Sequence, residues 1–282
     1  MGVADLTHNG RFAVLAIDHR DSLRSVLAPD NPDSVTSDAI VDLKRDLVAG
    51  LASGATGVML EPEYSIPQLL DGTLPPGVGF TAALETQGYM ADPEAAPVTL
   101  LEGWSVQAAA DCGADTAKLL VLYRPDRPHA AAQERATAEI LAECRRVGIP
   151  LLVEPLFYGL DDPTVRPQIV LETVDRFAPM GVDVLKLPFP VDPVHDPEPA
   201  RWAATCWEIT KRCDMPWTLL SGGGTFDSYH AQLDVAMTSG CAGFTVGRAL
   251  WGEAALAPPA DRPKVIADLI APRLAALREL VD

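Results

Sequence analysis

Eight short apolar runs, each about one strand long and most of them followed by a stretch with helical spacing, constrain this 282-residue chain more than any other feature. They are Phe12–Ile17, Gly57–Leu60, Gly79–Leu84, Thr116–Leu122, Pro150–Val153, Asp183–Pro190, Pro216–Leu220 and Gly243–Val246. None alternates apolar with polar residues, so both faces of each strand should be buried, as in a parallel sheet covered by helices. Helical periodicity is read over Ser37–Ser53, around Ile66–Leu70, and over Trp104–Gly113, Pro128–Val147, Arg166–Phe177, Pro199–Lys211 and Asp227–Ser239. In the first of these, Ile40, Leu43, Leu47 and Leu51 share a face, and the Ser37 hydroxyl is the expected N-cap. The Pro-rich Ala91–Pro97 reads as a loop, and the tail from Arg262 onward as an amphipathic helix on the outside. Eight β–α units in this length predict a closed (β/α)8 TIM barrel, which ordinarily needs ~250 residues. No linker or shift in composition divides the chain, so residues 1–282 are read as one domain.

Composition narrows the partners. Thirty-nine acidic residues against 22 basic ones give a net charge of −17, which argues against nucleic acid or an anionic membrane. The five cysteines form no CxxC pair and read as reduced thiols rather than a disulfide frame or zinc site. Residues 1–10 lack a signal-peptide pattern, and no apolar run approaches the roughly 20 residues that span a bilayer. A soluble, cytoplasmic protein acting on a small molecule is expected, with a homo-oligomer as its assembly.

In barrels of this kind the chemistry comes from the C-terminal ends of the strands. Asp18, Glu61, Glu85, Glu154, Ser221 and Arg248 each follow the apolar part of a strand, whereas Lys118 and Lys186 lie inside theirs. An ammonium among apolar residues is costly unless it is paired or deprotonated. A neutral lysine amine is a nucleophile toward carbonyl carbon. Lys186 could therefore form an imine with a ketone; alternatively, it sits at a strand end with its charge reaching water. Glu154 is placed to move protons, and Asp18 either anchors Lys118 or binds substrate hydroxyls. After the seventh and eighth strands, Ser221-Gly222-Gly223-Gly224 and Gly247-Arg248 occupy the loops where barrels commonly hold phosphate, and a sulfonate has nearly the same shape. The five histidines are scattered, so no metal site and no cofactor is expected; His19, directly after the first strand, reads as a wall residue.

Taken together, Ala16-Ile-Asp-His-Arg20, Glu61-Pro-Glu-Tyr64, Ala117-Lys-Leu-Leu-Val121, Leu152-Val-Glu-Pro155, Asp183-Val-Leu-Lys186, Leu220-Ser-Gly222 and Val246-Gly-Arg-Ala249 resemble the class I aldolases. That group contains tagatose-bisphosphate aldolase and sulfofructose-phosphate aldolase. The resemblance implies that Lys186 is the Schiff-base lysine, with Glu154, Lys118 and Asp18 as its acid–base neighbours. Ser221, Gly222, Gly223, Gly247 and Arg248 would then grip a phosphate or sulfonate, and His19, Arg20 and Glu61 join the substrate-binding set. Two positions depart from the pattern: His19 stands in place of a glutamine, and Pro188 in place of an acidic residue. Asp-His-Arg is also similar to the aldolase domain associated with inositol breakdown. The expected activity is reversible cleavage of a ketose phosphate or sulfo-sugar phosphate. An aldolase of inositol-type catabolism and a non-catalytic sugar-phosphate sensor on the same fold are the alternatives.

Overall fold

The computed structural model describes residues 2–69, 74–86 and 98–282. The expected loop Ala91–Pro97 and the last residue of the expected Ile66–Leu70 helix lie outside them. The strands are β1 (Thr7–His8), β2 (Arg11–Ala16), β3 (Gly57–Leu60), β4 (Gly79–Ala83), β5 (Thr116–Leu122), β6 (Leu151–Leu156), β7 (Val184–Leu187), β8 (Trp217–Leu220) and β9 (Gly243–Val246). The helices are α1 (Asp21–Leu27), α2 (Ser37–Leu51), α3 (Ile66–Leu69), α4 (Val106–Asp111), α5 (Ala130–Val147), α6 (Arg166–Phe177), α7 (Pro199–Arg212), α8 (Phe226–Thr238), α9 (Arg248–Leu256), α10 (Arg262–Val265) and α11 (Ala271–Glu279). Strands β2 to β9 pair in sequence order, all parallel, and β9 returns to pair with β2 from Phe12↔Gly243 to Leu15↔Val246. The sheet is a closed eight-stranded barrel with helices around it.

Alternation along the strands builds two apolar layers. Phe12, Val14 and Ala16 of β2 join Leu6, Met59, Leu152 and Val184 in one cluster inside the barrel. Ala13, Leu15, Val58, Leu185 and Leu187 belong to the larger core between strands and helices. The same parity turns Glu154, two residues after Leu152, and Lys186, two after Val184, to the inside. Around them the interior is filled with hydroxyl pairs, Thr81 with Thr116 at 2.7 Å and Thr218 with Thr245 at 3.2 Å.

Helices α1 and α9 are absent from the sequence reading, and four further details differ from it. A short hairpin precedes the first barrel strand: β1 pairs antiparallel with β2, turning through Asn9 and Gly10 at φ 51° and 75°. Both values suit the primed turns that Asn-Gly favours, and this dipeptide was the local signal for the hairpin. The N-cap of α2 is Thr36, whose hydroxyl accepts from the Ala39 amide; Ser37 is already the first helical residue. β6 runs two residues past Glu154, because Leu120↔Glu154 and Leu122↔Leu156 extend its pairing with β5. The tail helix is interrupted by a wide turn at Ile266–Ile270. Pro272 has no N–H to donate to the Asp268 carbonyl four residues back, which opens the ladder there.

Barrel closure rests on a residue without a side chain. Gly243 has φ +137°, and a Cβ on it would lie 2.1 Å from the Phe12 carbonyl oxygen. Gly243→Ala is expected to destabilise the fold by at least about 3 kcal/mol, because either the β2–β9 pairing or the backbone angle must give. A denaturant titration that finds it within 1 kcal/mol of the parent, on the order of ordinary surface changes, would refute this account of closure.

Candidate active site

The inward parity of β5, β6 and β7 delivers Lys118, Glu154 and Lys186 to one level of the barrel, and the chain after β2 and β4 adds Asp18 and Glu85. All five are buried. Lys118 Nζ donates to Asp18 Oδ2 at 2.8 Å and to Glu85 Oε1 at 2.7 Å. It also lies 3.2 Å from Glu154 Oε2. Lys186 Nζ lies 2.9 Å from that same Glu154 oxygen and 3.8 Å from the Met59 sulfur. One carboxylate oxygen thus stands between two ammonium groups, and two further carboxylates close the far side of Lys118. The second Glu85 oxygen accepts from the Leu120 amide at 3.1 Å, which ties the cluster to the β5 backbone.

Electrostatics around Asp18 and His19 follow from this packing. Burial would raise the Asp18 carboxyl, but Lys118 and Lys186, with smaller help from His19, outweigh it. The group is held well below the usual carboxylate range. Burial pushes the His19 imidazole down to about 3; Asp18 opposes this, while Arg248, Lys186 and Lys44 reinforce it. The ring meets Trp251 edge-on at 5.3 Å, and its Nδ1 has no hydrogen-bond partner among the described residues.

A cavity of about 120 Å³ opens on this cluster, lined by His19, Glu154, Lys186, Ser221–Gly223, Gly247 and Arg248, among others. It unites the lysine–carboxylate group with the glycine-rich loops after β8 and β9. Ser221 Oγ accepts from the Gly247 amide at 3.3 Å, which joins the two loops. Gly222 and Gly223 have φ 58° and 77°, and a Cβ on Gly223 would come within 3.6 Å of Arg248 Nη2. The turn therefore lies directly against the guanidinium. The glycine-rich turn after β8 and an arginine at the start of α9 thus line the same side of the cavity. A larger cavity of about 590 Å³ lies at the opposite end of the barrel, between β1 and α11, and shares none of these residues.

Lys118 and Asp18 are not among the cavity-lining residues; they stand behind Glu154. The structure does not bring Arg20 or Glu61 to the cavity either. The Arg20 guanidinium donates to Glu63 at 3.0 Å and to the Glu85 carbonyl at 2.6 Å. Glu61 is fully buried, ion-paired with Lys44, and accepts from the Ser65 hydroxyl and the amides of Glu63 and Tyr64. Both residues brace the strand ends that carry the site. Two members of these networks escaped the sequence reading. Glu85 was visible as a strand-end acid, yet only the fold reveals its contact with Lys118. Lys44 lies on the Ile40–Leu43–Leu47 face of α2, where an apolar stripe is the signal that a lysine will be buried. Among the described residues no group of three or more His, Cys, Asp or Glu could hold a metal ion, and no helix is long and apolar enough to cross a membrane.

The family profile described as DeoC/LacD family aldolase matches residues 12–253, a span that contains every residue of the cavity. The chain belongs to this aldolase family. As an aldolase, it is a carbon–carbon lyase. One relative, the tagatose 1,6-diphosphate aldolase of Listeria monocytogenes serotype 4a, is 29% identical over 271 residues, covering 86% of this chain and 78% of that one. Among solved structures, a Corynebacterium glutamicum protein superposes with a TM-score of 0.70 at 24% identity, covering 98% of this aldolase and 87% of that chain. A Schiff-base-forming fructose-1,6-bisphosphate aldolase gives 0.66 at 19% identity, covering 99% and 98%. At these identities the two structures speak for the barrel.

His19 gives the aldolase an acid-sensitive element. The unfolded chain protonates this histidine near pH 6.5, whereas the folded protein does so only near 3. Stability is therefore complete above about pH 6.5 and falls as the pH drops toward 3. Melting temperatures measured from pH 7 to 4 should decline, and His19→Gln should flatten the decline. An equal slope in both proteins would remove His19 as its cause.

Proposed function

We propose that this chain is a class I aldolase that reversibly cleaves a carbon–carbon bond of a ketose phosphate, or of a sulfo-sugar phosphate, through a Schiff base on Lys186. The observation that carries this reading is the 2.9 Å approach of Lys186 Nζ to Glu154 Oε2 inside a cavity that also contains Arg248. A nucleophile, a proton carrier and an anion handle then share one small space. The name of the Listeria relative, a tagatose 1,6-diphosphate aldolase, supports a phosphorylated ketose.

In this reading Lys186 Nζ first passes one proton to Glu154, and the free amine attacks the ketone carbon of the substrate. A second proton moves from the nitrogen to the ketone oxygen to give the carbinolamine, whose hydroxyl takes the first proton from Glu154 and leaves as water, which creates the iminium. The Glu154 carboxylate takes the proton of the hydroxyl beyond the scissile bond, which lets that bond break, and later returns it to the enamine carbon. The electron pair of that bond enters the iminium to form an enamine, and the aldehyde departs. Protonation of the enamine carbon and hydrolysis return the free amine. Lys118 holds Glu154 from the other side and is itself held by Asp18 and Glu85, so Asp18 orients Lys118 rather than touching substrate. Ser221, Gly222, Gly223, Gly247 and Arg248 receive the phosphate or sulfonate. Their local positive field offsets the −17 charge of the chain for an incoming dianion.

Sodium borohydride with dihydroxyacetone phosphate should inactivate the enzyme and add donor mass to the peptide containing Lys186. Mass on the Lys118 peptide would reassign the nucleophile, and an active, unlabelled enzyme would exclude the imine. A positioned general acid–base contributes about 10²–10⁴-fold, so Glu154→Gln should lower kcat by roughly that factor with an unchanged circular-dichroism spectrum. Near-normal turnover in this variant would move proton transfer to a water.

A further inference from the structure

His19 stands where this chain departs from the glutamine of the class I aldolases it resembles, and its imidazole lines the cavity that holds Lys186, Glu154 and Arg248. The ring is held in one orientation. It meets Trp251 edge-on at 5.3 Å, and the Trp251 indole N–H donates to the Ala16 carbonyl at 3.1 Å. Gly247 leaves the ring its place: a Cβ on that residue would lie 3.0 Å from Cε1 and 3.4 Å from Nε2. Nδ1 is buried without a hydrogen-bond partner among the described residues. Nε2 is the nitrogen left to the cavity.

A neutral imidazole carries its proton on one nitrogen and offers the other as an acceptor. The charges around His19 select which. The Asp18 carboxylate lies 3.9 Å from Nδ1, too far for a hydrogen bond but near enough to favour an N–H on that side. Arg248 and Lys186, both lining the cavity, favour a lone pair on the other side. Burial, the largest influence on the ring, keeps it neutral at pH 7. The imidazole therefore directs Nδ1–H toward Asp18 and presents Nε2 as an acceptor. A glutamine amide could turn to donate or to accept; the histidine in this field only accepts.

Its place in the barrel fixes which part of a substrate it meets. Strand β2 is four strands from β6 in either direction round the closed sheet, so His19, just past β2, faces Glu154 across the cavity. In the mechanism above, C2 of the ketose joins Lys186, the C1 phosphate rests against Ser221–Gly223 and Arg248, and Glu154 takes the proton of the C4 hydroxyl. The hydroxyl on C3, between these two carbons, is the group left for the opposite wall. We infer that His19 is a specificity-determining residue, whose Nε2 accepts a hydrogen bond from the C3 hydroxyl of the ketose phosphate. This rests on the aldolase reading and adds a basis for choosing among donors. A ketone phosphate with a hydroxyl on the bond-forming carbon is kept, and one with a bare methyl group there is rejected.

The test measures kcat/KM for aldol addition to glyceraldehyde 3-phosphate with two donors, dihydroxyacetone phosphate and its deoxy analogue acetol phosphate, in the parent, His19→Phe and His19→Gln. The parent should prefer dihydroxyacetone phosphate. In His19→Phe the ratio between the donors should fall about 5–150-fold, the range for a buried hydroxyl left without a partner. His19→Gln, whose carbonyl can still accept, should recover most of it. An unchanged ratio in His19→Phe, with both donors slowed alike, would make His19 a packing wall and overturn the inference, as would a parent that treats the two donors alike. Nitrogen-15 NMR of the histidine-labelled parent at pH 7 reads the acceptor without any substitution, whether or not His19→Phe folds. Nδ1 should be protonated and Nε2 bare, and the opposite tautomer would refute the contact. Borohydride labelling separates the contact from the mechanism. If both donors label Lys186 while the ratio stays fixed, the Schiff base stands and the His19 contact falls; if neither donor labels the parent, both fall.

Discussion

Two ammonium groups enclosed in an apolar barrel persist only with carboxylates against them, and the architecture of the site follows from that requirement. Removing one member of such a cluster leaves an uncompensated buried charge, at a cost on the order of 3–5 kcal/mol. Glu154 touches both lysines, while Asp18 and Glu85 touch Lys118 alone. Among the described residues Lys186 therefore has a single carboxylate paired with it and opens onto the cavity, whereas Lys118 has three. In the proposed mechanism this asymmetry leaves Lys186 available for covalent chemistry and makes Lys118 a fixed charge behind Glu154.

Outer ion pairs hold the inner ones. Arg20 spans from Glu63 to the Glu85 carbonyl and so fixes the residue that clamps Lys118. Lys44 reaches from α2 to Glu61, and the hydrogen bonds Glu61 accepts from Glu63, Tyr64 and Ser65 stiffen the turn after β3. None of these groups meets the cavity, yet each restricts the strand ends that do. At the other end of the barrel the interior is apolar, with Leu6 packed among Phe12, Val14 and Leu152. The polarity of the interior thus increases from its plugged end to its open one.

In the proposed function, chemistry and anion binding occupy different sectors of the same rim. β6 and β7 bring Glu154 and Lys186, and the loops after β8 and β9 bring the glycine turns and Arg248. Adjacent parallel strands make this possible, because each contributes one inward residue per layer and one loop above it. The Ser221–Gly247 hydrogen bond fixes the relation between these two loops without occupying the arginine.

The sequence by itself determined the strand count, the parallel pairing and the parity. Apolar runs such as Val184–Leu187 admit one lysine only at an inward position, because the outward face must pack on helices. It also located Lys118, Glu154, Ser221–Gly223 and Arg248, since strand-end and mid-strand polar residues stand out against apolar neighbours. Tertiary structure decided which of these groups touch. Asp18 and Lys118 are 100 positions apart, and Met59 lies 127 positions from the lysine whose amine it faces. Arg20 and Glu61 have the sequence profile of substrate ligands, being charged residues after strands. Only the packing of Glu63, Glu85 and Lys44 around them turns them into braces. The hairpin at Asn9–Gly10 and the break before Pro272 were written in local residues. The partners of a buried charge, in contrast, are set by strand register and barrel closure, which no local stretch contains.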